Sequence, residues 1–390
     1  MRMAPEEAAM VCARFYLPTE IVTGAGCFGE LGRLARRFGR RALIIGSRGR
    51  RELLERAATL LAEAGIEPSV WAEVQGEPTI AAVEDARACA RTAQAELIVG
   101  IGGGSALDTA KAAAGLAHRP GAVADYHTGR KLEPGRNLPF IAVPTTAGTG
   151  AEVTRNAVLI DPARGVKESI RDDSWFPALA LVDPELTLSL PPAITACTGA
   201  DALCQAIESY VSTGAGPLTD PLAAEAIRRI GRSLARAVEQ GEDLAARSDM
   251  LYGSLLAGIA MTNARLGAVH GLAHPLGARY GIPHGTVCGL LLPHVMAYNL
   301  PCAADKYACV SGLLGLDASG LTAAAAAERG VAHVRELLGR VGIPSHLAHY
   351  GVTEDAFDAL AAEALAQSSL HFNPRPLQAE DVRAILAAAL

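Results

Sequence analysis

The chain has 390 residues, of which 50% are apolar and 19% are charged, so it is long enough and apolar enough to form two domains with separate cores. Its formal net charge of −6 excludes a basic surface for nucleic acid or anionic lipid, and we expect neither partner. The start of the chain shows no signal-peptide pattern, and no apolar run reaches the roughly 18 residues of a membrane span. We therefore expect a cytoplasmic enzyme.

Cysteine and lysine are used unevenly. The eight cysteines are scattered without a CxxC pair, which predicts reduced, buried thiols and argues against a disulfide framework or a thiolate zinc site. Of the 35 basic residues only four are lysines, so arginine is the default cation of this chain. A lysine is therefore informative, and both Lys111 and Lys167 fall within motifs described below.

The first half of the chain alternates short apolar strands with amphipathic helices. The predicted strands are 42–46, 69–72, 96–101, 140–143 and 178–182, and the predicted helices between them include 51–64 and 80–91. Continuous apolar strands of this kind indicate a parallel sheet that is covered on both faces. We predict an α/β domain of Rossmann-like type over residues 1–192.

The pattern changes after two consecutive prolines at 191 and 192. From residue 193 to 390 alanine and leucine recur at helical spacing, with breaks at 214–217, 281–284, 301 and 342–345. No strand-like alternation occurs there, so we predict an all-α domain over 193–390.

A glycine-rich turn follows the predicted strand 96–101. Gly102, Gly103, Gly104 and Ser105 lead into the segment ALDTAKAAAG, and Ser105 and Asp108 have capping-box spacing, which predicts a helix start there. Glycines let backbone approach a ligand closely, and a helix N-terminus attracts pyrophosphate. The turn lacks the GxGxxG fingerprint, and a tight turn that binds nothing is the alternative.

A second cluster of small and hydroxylic residues follows the predicted strand 140–143. It reads PTTAGTGAEVT, and its residues suit hydrogen bonds to phosphate, ribose or carboxamide. The carboxyl ends of parallel strands are where an open α/β sheet binds ligands. A serine- and threonine-rich turn without a ligand is the alternative at this point.

Three histidines lie close together in the segment AVHGLAHPLGARYGIPHG. His270 and His274 are four residues apart on one helix face, and His284 follows a short break. About seventy residues earlier, Asp201 and Gln205 are also four residues apart on a predicted helix. An aspartate with imidazoles from another helix suits Fe²⁺ or Zn²⁺, whereas each histidine alone would more often be structural, as we expect of His294.

These segments together resemble the iron-dependent, or group III, alcohol dehydrogenases. The motifs are GGGSALDTAK, VPTTAGTGAEVT, GADALCQAIESYVS and the histidine segment, and the resemblance runs from about Tyr16 to the end. It implies an α/β N-terminal Rossmann-like dinucleotide domain plus an all-α C-terminal domain, with the active site in the cleft between them. It also implies NAD(P), a divalent metal, a small alcohol or aldehyde substrate, and a homodimer.

The resemblance also implies roles for single residues. It places the coenzyme phosphates at the glycine turn, and the nicotinamide and ribose near the second cluster. The residues implied to contact coenzyme are Gly102, Gly103, Gly104, Ser105, Asp108, Thr145, Thr146, Thr149, Thr154, Asn156 and Lys167. The implied metal ligands are Asp201, His270 and His284, with Gln205 where the family has a further histidine, and His274 is implied to relay the hydroxyl proton.

Other activities stay open. Gln205 favours a metal-free reductase resembling maleylacetate reductase more than an intact histidine set would. A lyase resembling dehydroquinate synthase would need a more basic cleft than this lysine-poor second half offers. A catalytically silent dimeric module would have no reason to retain the glycine turn, two motif lysines and three histidines.

The coenzyme type is predicted from the loop after strand 42–46. Ser47 stands where NAD-preferring members of the family usually have aspartate, and Arg48 and Arg50 follow it. A hydroxyl and a guanidinium can bind a 2′-phosphate that a carboxylate would repel. We predict that NADP(H) is accepted, and preference for it is the stronger form of this prediction. Solvated arginines without a coenzyme role are the alternative.

Overall fold

The computed structural model describes residues 14–390. Six parallel strands form the sheet of the first half: β1 (Glu20–Thr23), β2 (Arg41–Ile45), β3 (Glu67–Trp71), β4 (Leu97–Gly102), β5 (Phe140–Pro144) and β8 (Leu179–Val182). Their order is β1-β8-β5-β4-β2-β3. The helices around this sheet are α1 (Leu31–Ala35), α2 (Arg51–Glu63), α3 (Ile80–Thr92), α4 (Gly104–Leu116) and α5 (Val123–His127). The predicted parallel sheet is confirmed.

Two further strands form a separate antiparallel hairpin, β6 (Asn156–Asp161) and β7 (Val166–Arg171). Neither these strands nor β1 was predicted, because none of them is a continuous apolar run. β6 alternates buried and half-buried residues, which is typical of a strand covered on one face. The hairpin packs on α4, where the Val158 N–H donates a 2.9 Å hydrogen bond to the Asp108 carboxylate.

The strand order reverses direction between β2 and β4, and this places the binding loops. β3 lies on one side of β2, whereas β4, β5 and β8 follow on the other side. Gly102 at the end of β4 is paired with Pro144 at the end of β5. Ligands of open α/β sheets bind outside the carboxyl ends of strands at such a reversal. The glycine turn and the threonine cluster are therefore neighbours at this edge.

The second half of the described chain is helical, as predicted. Its helices are α6 (Pro192–Val211), α7 (Asp220–Glu239), α8 (Leu244–Ala264), α9 (Ala268–Tyr280), α10 (His284–Leu313), α11 (Ala323–Arg340), α12 (Phe357–Leu365) and α13 (Ala379–Ala388). The predicted breaks fall between helices except at Pro301, which lies inside α10 just before a kink at Ala303. A proline removes an intrahelical hydrogen bond, which accounts for a kink there.

Helix α10 is long and apolar. By length and composition it could cross a membrane, but 61% of its most apolar window is buried inside the protein. The core helix of a helical bundle has the same composition, and α10 packs against α6, α9 and α11.

The two halves meet where the threonine cluster packs on α8. Gly150 has a φ of +59°, and a Cβ built on it would lie 2.6 Å from the Gly258 Cα atom. Only glycine tolerates both the conformation and the contact. The Ser254 hydroxyl donates a 3.1 Å hydrogen bond to the Gly148 carbonyl oxygen nearby. The threonine cluster is thus fixed between the sheet and the helices, and it forms one wall of the cleft.

Candidate active site

The glycine turn leads directly into α4. Helix α4 begins at Gly104 with Gly103 as its N-cap, and no side chain caps it. The predicted capping box of Ser105 and Asp108 is therefore wrong, because Ser105 lies inside the first turn and Asp108 binds the hairpin instead. The first N–H groups of a helix have no carbonyl partner within it, so those of Gly104 and Ser105 suit a phosphate oxygen.

The glycine turn and the threonine cluster pack against each other. A Cβ on Gly103 would lie 3.0 Å from the Thr146 hydroxyl oxygen, and one on Gly104 would lie 2.7 Å from the Thr149 methyl carbon. The Thr145 N–H donates a 2.9 Å hydrogen bond to the Gly102 carbonyl oxygen. Glycine is required in this turn because larger residues would displace the threonines opposite.

Lys111 and Asp108 have structural partners. The Lys111 ammonium is fully buried and donates to the Thr154 hydroxyl at 2.7 Å and to the Asn156 carbonyl oxygen at 2.8 Å. Its distance to the Asp108 carboxylate is 3.6 Å. Asp108, Thr154 and the Asn156 backbone are therefore engaged in joining α4 to the hairpin. These contacts account for Lys111 in an otherwise apolar helix, and no contact with a phosphate is needed to explain it.

Glu152 is a buried carboxyl group in the threonine cluster that the sequence did not single out. Its Oε1 atom has no hydrogen-bond partner among the described residues. Burial raises the pKa of Glu152 to about 7, despite the nearby Lys111 charge, which lowers it. The carboxyl group is therefore protonated in the folded state over a pH range in which it ionises in the unfolded chain.

We expect Glu152→Gln to stabilise the protein at pH 8 but not at pH 4. The folded pKa lies above the unfolded value, so the contribution of Glu152 to stability falls as pH rises from 4.5 to about 7. The rise in the Glu152 pKa corresponds to a loss of about 3 kcal/mol of folding free energy, as an order of magnitude. A glutamine amide does not ionise, so the variant does not undergo this loss. Urea unfolding midpoints at both pH values test this. An equal effect of the substitution at both would contradict it.

The loop after β2 carries charged side chains that are already paired. Ser47 forms an isolated bridge with Glu73, and the Arg48 guanidinium donates two hydrogen bonds to the Glu73 carboxylate. Arg50 donates a hydrogen bond to the Ser189 hydroxyl across the sheet edge. Arg48 therefore has a carboxylate partner although 67% of its side chain is exposed, and Arg50 is half-buried. The loop sequence itself has no acidic residue, but Glu73, which follows β3, brings a carboxylate next to Ser47 and Arg48.

Lys167 lies on β7 beside the histidine group. Its ammonium makes a 2.6 Å ion pair with the Glu77 carboxylate, and 13% of its side chain is exposed. The charge of Lys167 contributes to the lowered pKa of His274, and β7 contacts α9 directly. The hairpin therefore brings a residue of the α/β half of the chain to the helix that carries the histidines.

Three predicted metal ligands come together between α6, α9 and the start of α10. The Asp201 Oδ1 atom lies 3.4 Å from His270 Nε2 and 3.8 Å from His284 Nε2. This oxygen is buried and has no hydrogen-bond partner among the described residues. A buried carboxylate oxygen without a partner is costly, and a cation held between it and two imidazoles removes that cost. The residues therefore fit a divalent ion.

Glu208 supports this group, and sequence reasoning missed it. Its carboxylate accepts hydrogen bonds at 2.5 Å from His270 Nδ1 and at 2.7 Å from the Val269 N–H. A carboxylate on the far nitrogen fixes the imidazole orientation and leaves Nε2 for a metal. Glu208 is seven residues after Asp201, so it lies on the same face of α6. That spacing was the available signal.

Gln205 and Cys288 complete the surroundings. Gln205 is one turn after Asp201 on α6, and its buried Oε1 atom also has no partner among the described residues. Cys288 is one turn after His284 on α10, and its Sγ atom lies 3.9 Å from His270 Nε2 and 3.7 Å from His284 Nε2. The sequence predicted buried, reduced thiols, and Cys288 is buried beside two of the predicted metal ligands. Cys302 and Cys309 are exposed, which corrects the prediction that the thiols are buried.

The surroundings of His270 and Cys288 favour a positive charge on the imidazole and a negative charge on the thiol. Burial disfavours protonation of His270, but the adjacent Cys288 and Glu208 raise its pKa well above the ordinary value. Burial likewise disfavours a thiolate, yet contacts with Cys204, His284 and His270 lower the pKa of Cys288 well below its ordinary value. The surroundings therefore stabilise a deprotonated thiol, the form that binds metals.

His274 lies beside the ligand group without belonging to it. Its ring centroid is 5.6 Å from that of His284, and its Nδ1 atom is buried without a partner among the described residues. Burial and the neighbouring charges of His284, Lys167 and His270 lower its pKa to about 3, so the ring is neutral. A neutral imidazole can accept a proton at one nitrogen and donate one from the other.

The comparisons with known proteins agree with this architecture. Residues 18–184 match the sequence model described as iron-containing alcohol dehydrogenase, and residues 195–390 match the model of the C-terminal part of that family. The chain is 40% identical to long-chain-alcohol dehydrogenase 1 of Geobacillus thermodenitrificans over 386 residues, which is 97% of either chain. It is 37% identical to NAD-dependent methanol dehydrogenase of Bacillus methanolicus, covering 96% of this chain and 99% of that one.

A solved structure shows the same fold. The crystal structure of a 1,3-propanediol oxidoreductase superposes with a TM-score of 0.94 at 37% identity, covering 97% of this chain and all of that one. The protein is therefore an oxidoreductase that acts on CH–OH groups with a nicotinamide coenzyme and a divalent metal. The chain belongs to the iron-containing alcohol dehydrogenase family, which confirms the resemblance and does not favour the metal-free reductase or the lyase.

Proposed function

We propose that the protein interconverts a small primary alcohol and its aldehyde in the cleft between the sheet and the helices. The observation that carries this is the convergence of Asp201, His270 and His284 beside His274, with Lys167 reaching the same place from the sheet domain. A divalent ion held there supplies Lewis acidity toward the substrate oxygen. The nicotinamide ring supplies the hydride acceptor or donor.

The residues of the chain then have distinct tasks. Gly103, Gly104 and Ser105 hold the pyrophosphate by backbone N–H groups, while Thr145, Thr146 and Thr149 line the nicotinamide end. Lys167 would exchange its ion pair with Glu77 for a ribose hydroxyl. Asp108, Thr154 and Asn156 serve coenzyme indirectly, because their contacts with Lys111 and the hairpin fix the loops.

His274 moves the proton in this proposal. Its neutral ring accepts the hydroxyl proton of the alcohol, directly or through a water, and passes it on toward the coenzyme side of the cleft. Gln205 lies next to the metal ligands, where its amide can coordinate weakly or hydrogen-bond a water.

The activity test is metal analysis of the purified protein combined with a panel of alcohols and aldehydes. Oxidation or reduction is followed by coenzyme absorbance before and after chelation, and after adding back Fe²⁺ or Zn²⁺. We expect activity to fall on chelation and return with metal. Full activity after exhaustive chelation, unchanged by added metal, would show that hydride transfer here needs no metal.

The quaternary structure and the cellular location of the protein are also proposals. We propose a homodimer, because β1 leaves one edge of the sheet unpaired among the described residues and Phe15 and Tyr16 beside it are exposed. We propose a cytoplasmic location, since the seven cysteines in the described range are free thiols. The net charge of −6 and the burial of α10 support the expectation of no nucleic-acid or membrane partner.

The ion pair between Arg48 and Glu73 bears on the choice between NAD(H) and NADP(H). We propose that NAD(H) is used and NADP(H) is also accepted, with Glu73 limiting its use by holding Arg48. Glu73→Gln should raise kcat/KM for NADPH relative to NADH about tenfold, because one charge-assisted hydrogen bond to phosphate is worth about 1.5 kcal/mol. Ser47→Asp should lower the same ratio. A strong NADH preference that neither substitution changes would contradict the proposal.

A further inference from the structure

We propose that Cys288 is a ligand of the divalent metal, so that the protein donors are one carboxylate, two imidazoles and one thiolate. The proposal rests on the proposed function and changes the ligand set that the family resemblance implies. It would make the site a better match for Zn²⁺ than for Fe²⁺. Three observations support it: the distances among the four donors, the unpartnered oxygens around them, and the replacement of a histidine at position 205.

The distances among the donors match a tetrahedral site. Asp201 Oδ1, His270 Nε2, His284 Nε2 and Cys288 Sγ all lie within 4.8 Å of one another. Four of the six separations are 3.4, 3.8, 3.9 and 3.7 Å. Zinc bonds of about 2.0–2.3 Å at tetrahedral angles place neighbouring ligands about 3.3–3.8 Å apart. The side chains therefore already have the spacing of a four-donor site.

Helix geometry explains how the thiol reaches this position. Cys288 is one turn after His284, so α10 presents both on one face toward α6 and α9. Cys204 is a different case, because its Sγ atom lies 3.9 Å from His270 Nδ1, the nitrogen that Glu208 occupies. Cys204 therefore belongs to the support of His270, and Cys288 is the thiol on the metal side.

The loss of a histidine at 205 makes a further donor useful. Gln205 offers only a neutral amide oxygen, which binds Zn²⁺ or Fe²⁺ more weakly than imidazole does. The buried side-chain oxygens of Asp201 and Gln205 accept no hydrogen bond from any described residue, so both are available to a metal ion or a water. A thiolate supplies a strong, negatively charged fourth ligand, and thiolates select zinc over iron. The substrate oxygen would enter as a fifth ligand, which catalytic zinc sites accommodate.

The first test uses cobalt as a spectroscopic probe. The purified protein is stripped with chelator and loaded with Co²⁺ alone, and the near-ultraviolet thiolate-to-cobalt charge-transfer band is recorded. We expect the band in the wild type and in Cys204→Ala, a matched control for a buried thiol on the other side of His270. We expect it to be absent in Cys288→Ser and Cys288→Ala. A band of equal intensity in the Cys288 variants would overturn the proposal.

The second test measures metal preference by competition between Zn²⁺ and Fe²⁺. Cys288→Ser should lower zinc affinity about tenfold or more and shift the bound ratio toward iron. Adding Gln205→His to Cys288→Ser should restore metal binding without restoring the charge-transfer band. If Cys288→Ser leaves affinity and ratio unchanged, Cys288 is not a ligand.

Different results would contradict the proposed function and the assignment of Cys288 as a ligand. A wild type that oxidises alcohols with added metal but shows no thiolate band keeps the proposed function and loses the Cys288 ligand. A wild type that shows the band but turns over no alcohol or aldehyde keeps the ligand and loses the function. Circular dichroism of each variant distinguishes ligand loss from unfolding.

Discussion

His270→Ala is expected to lose nearly all bound metal and, with it, alcohol oxidation. His270 is the central member of the group, because its Nε2 atom faces Asp201 and Cys288 while Nδ1 is held by Glu208. Removing the ring leaves two carboxylates facing an empty space and takes away one strong nitrogen donor. Metal content per protein, measured after dialysis, should fall below about a tenth of the wild-type value, as expected when a ligand is lost.

A graded series separates ligand from support in the same experiment. Glu208→Gln keeps the size of the side chain but weakens the hydrogen bond that orients His270, so metal affinity should fall about 10- to 100-fold. His294→Gln is the control, since His294 lines a separate cavity of about 450 Å³ with Arg335 and His346. Burial lowers the pKa of His294 to about 4, so its ring is neutral. Equal metal loss in all three variants would indicate general destabilisation instead.

His274→Ala is expected to reduce turnover about 100-fold, the usual contribution of a positioned acid–base group. Its bound metal should stay nearly unchanged, because the ring lies outside the group of ligand atoms that approach one another. Steady-state kinetics with a primary alcohol and metal analysis of the same preparation measure the two quantities together. Both measurements are needed because loss of a metal ligand lowers kcat and metal content together, whereas loss of a proton relay lowers kcat alone.

The result that would contradict this assignment is equal loss of metal in His274→Ala and His270→Ala, which would make His274 a ligand. His274→Asn provides a second variant, since it retains a polar side chain in the buried position. Turnover as low as in His274→Ala with normal metal content supports proton transfer. Turnover near the wild-type value in His274→Asn would show that the site needs only a hydrogen-bonding group there.

The sequence by itself determined the fold class and the segments that carry the candidate site residues. Strands that are apolar on every residue can be buried only in a covered parallel sheet, so the fold class followed from β2, β4 and β5. Local spacing also identified the histidine segment, because i, i+4 neighbours share a helix face wherever the helix is packed. The family resemblance depended on these same local motifs, and the match over residues 18–184 and 195–390 confirmed it.

Tertiary structure decided which groups face each other, since that depends on how distant segments pack. The approach of Cys288 to Asp201 requires α6, α9 and α10 to converge, and no spacing along the chain encodes that distance. Likewise, Glu73 reaches Arg48 only because β2 and β3 are adjacent. The capping-box prediction at Ser105 failed for the same reason, because Asp108 bonds a hairpin fifty residues later instead of its own helix end. Local sequence sets what a residue can do, and packing decides which partner it finds.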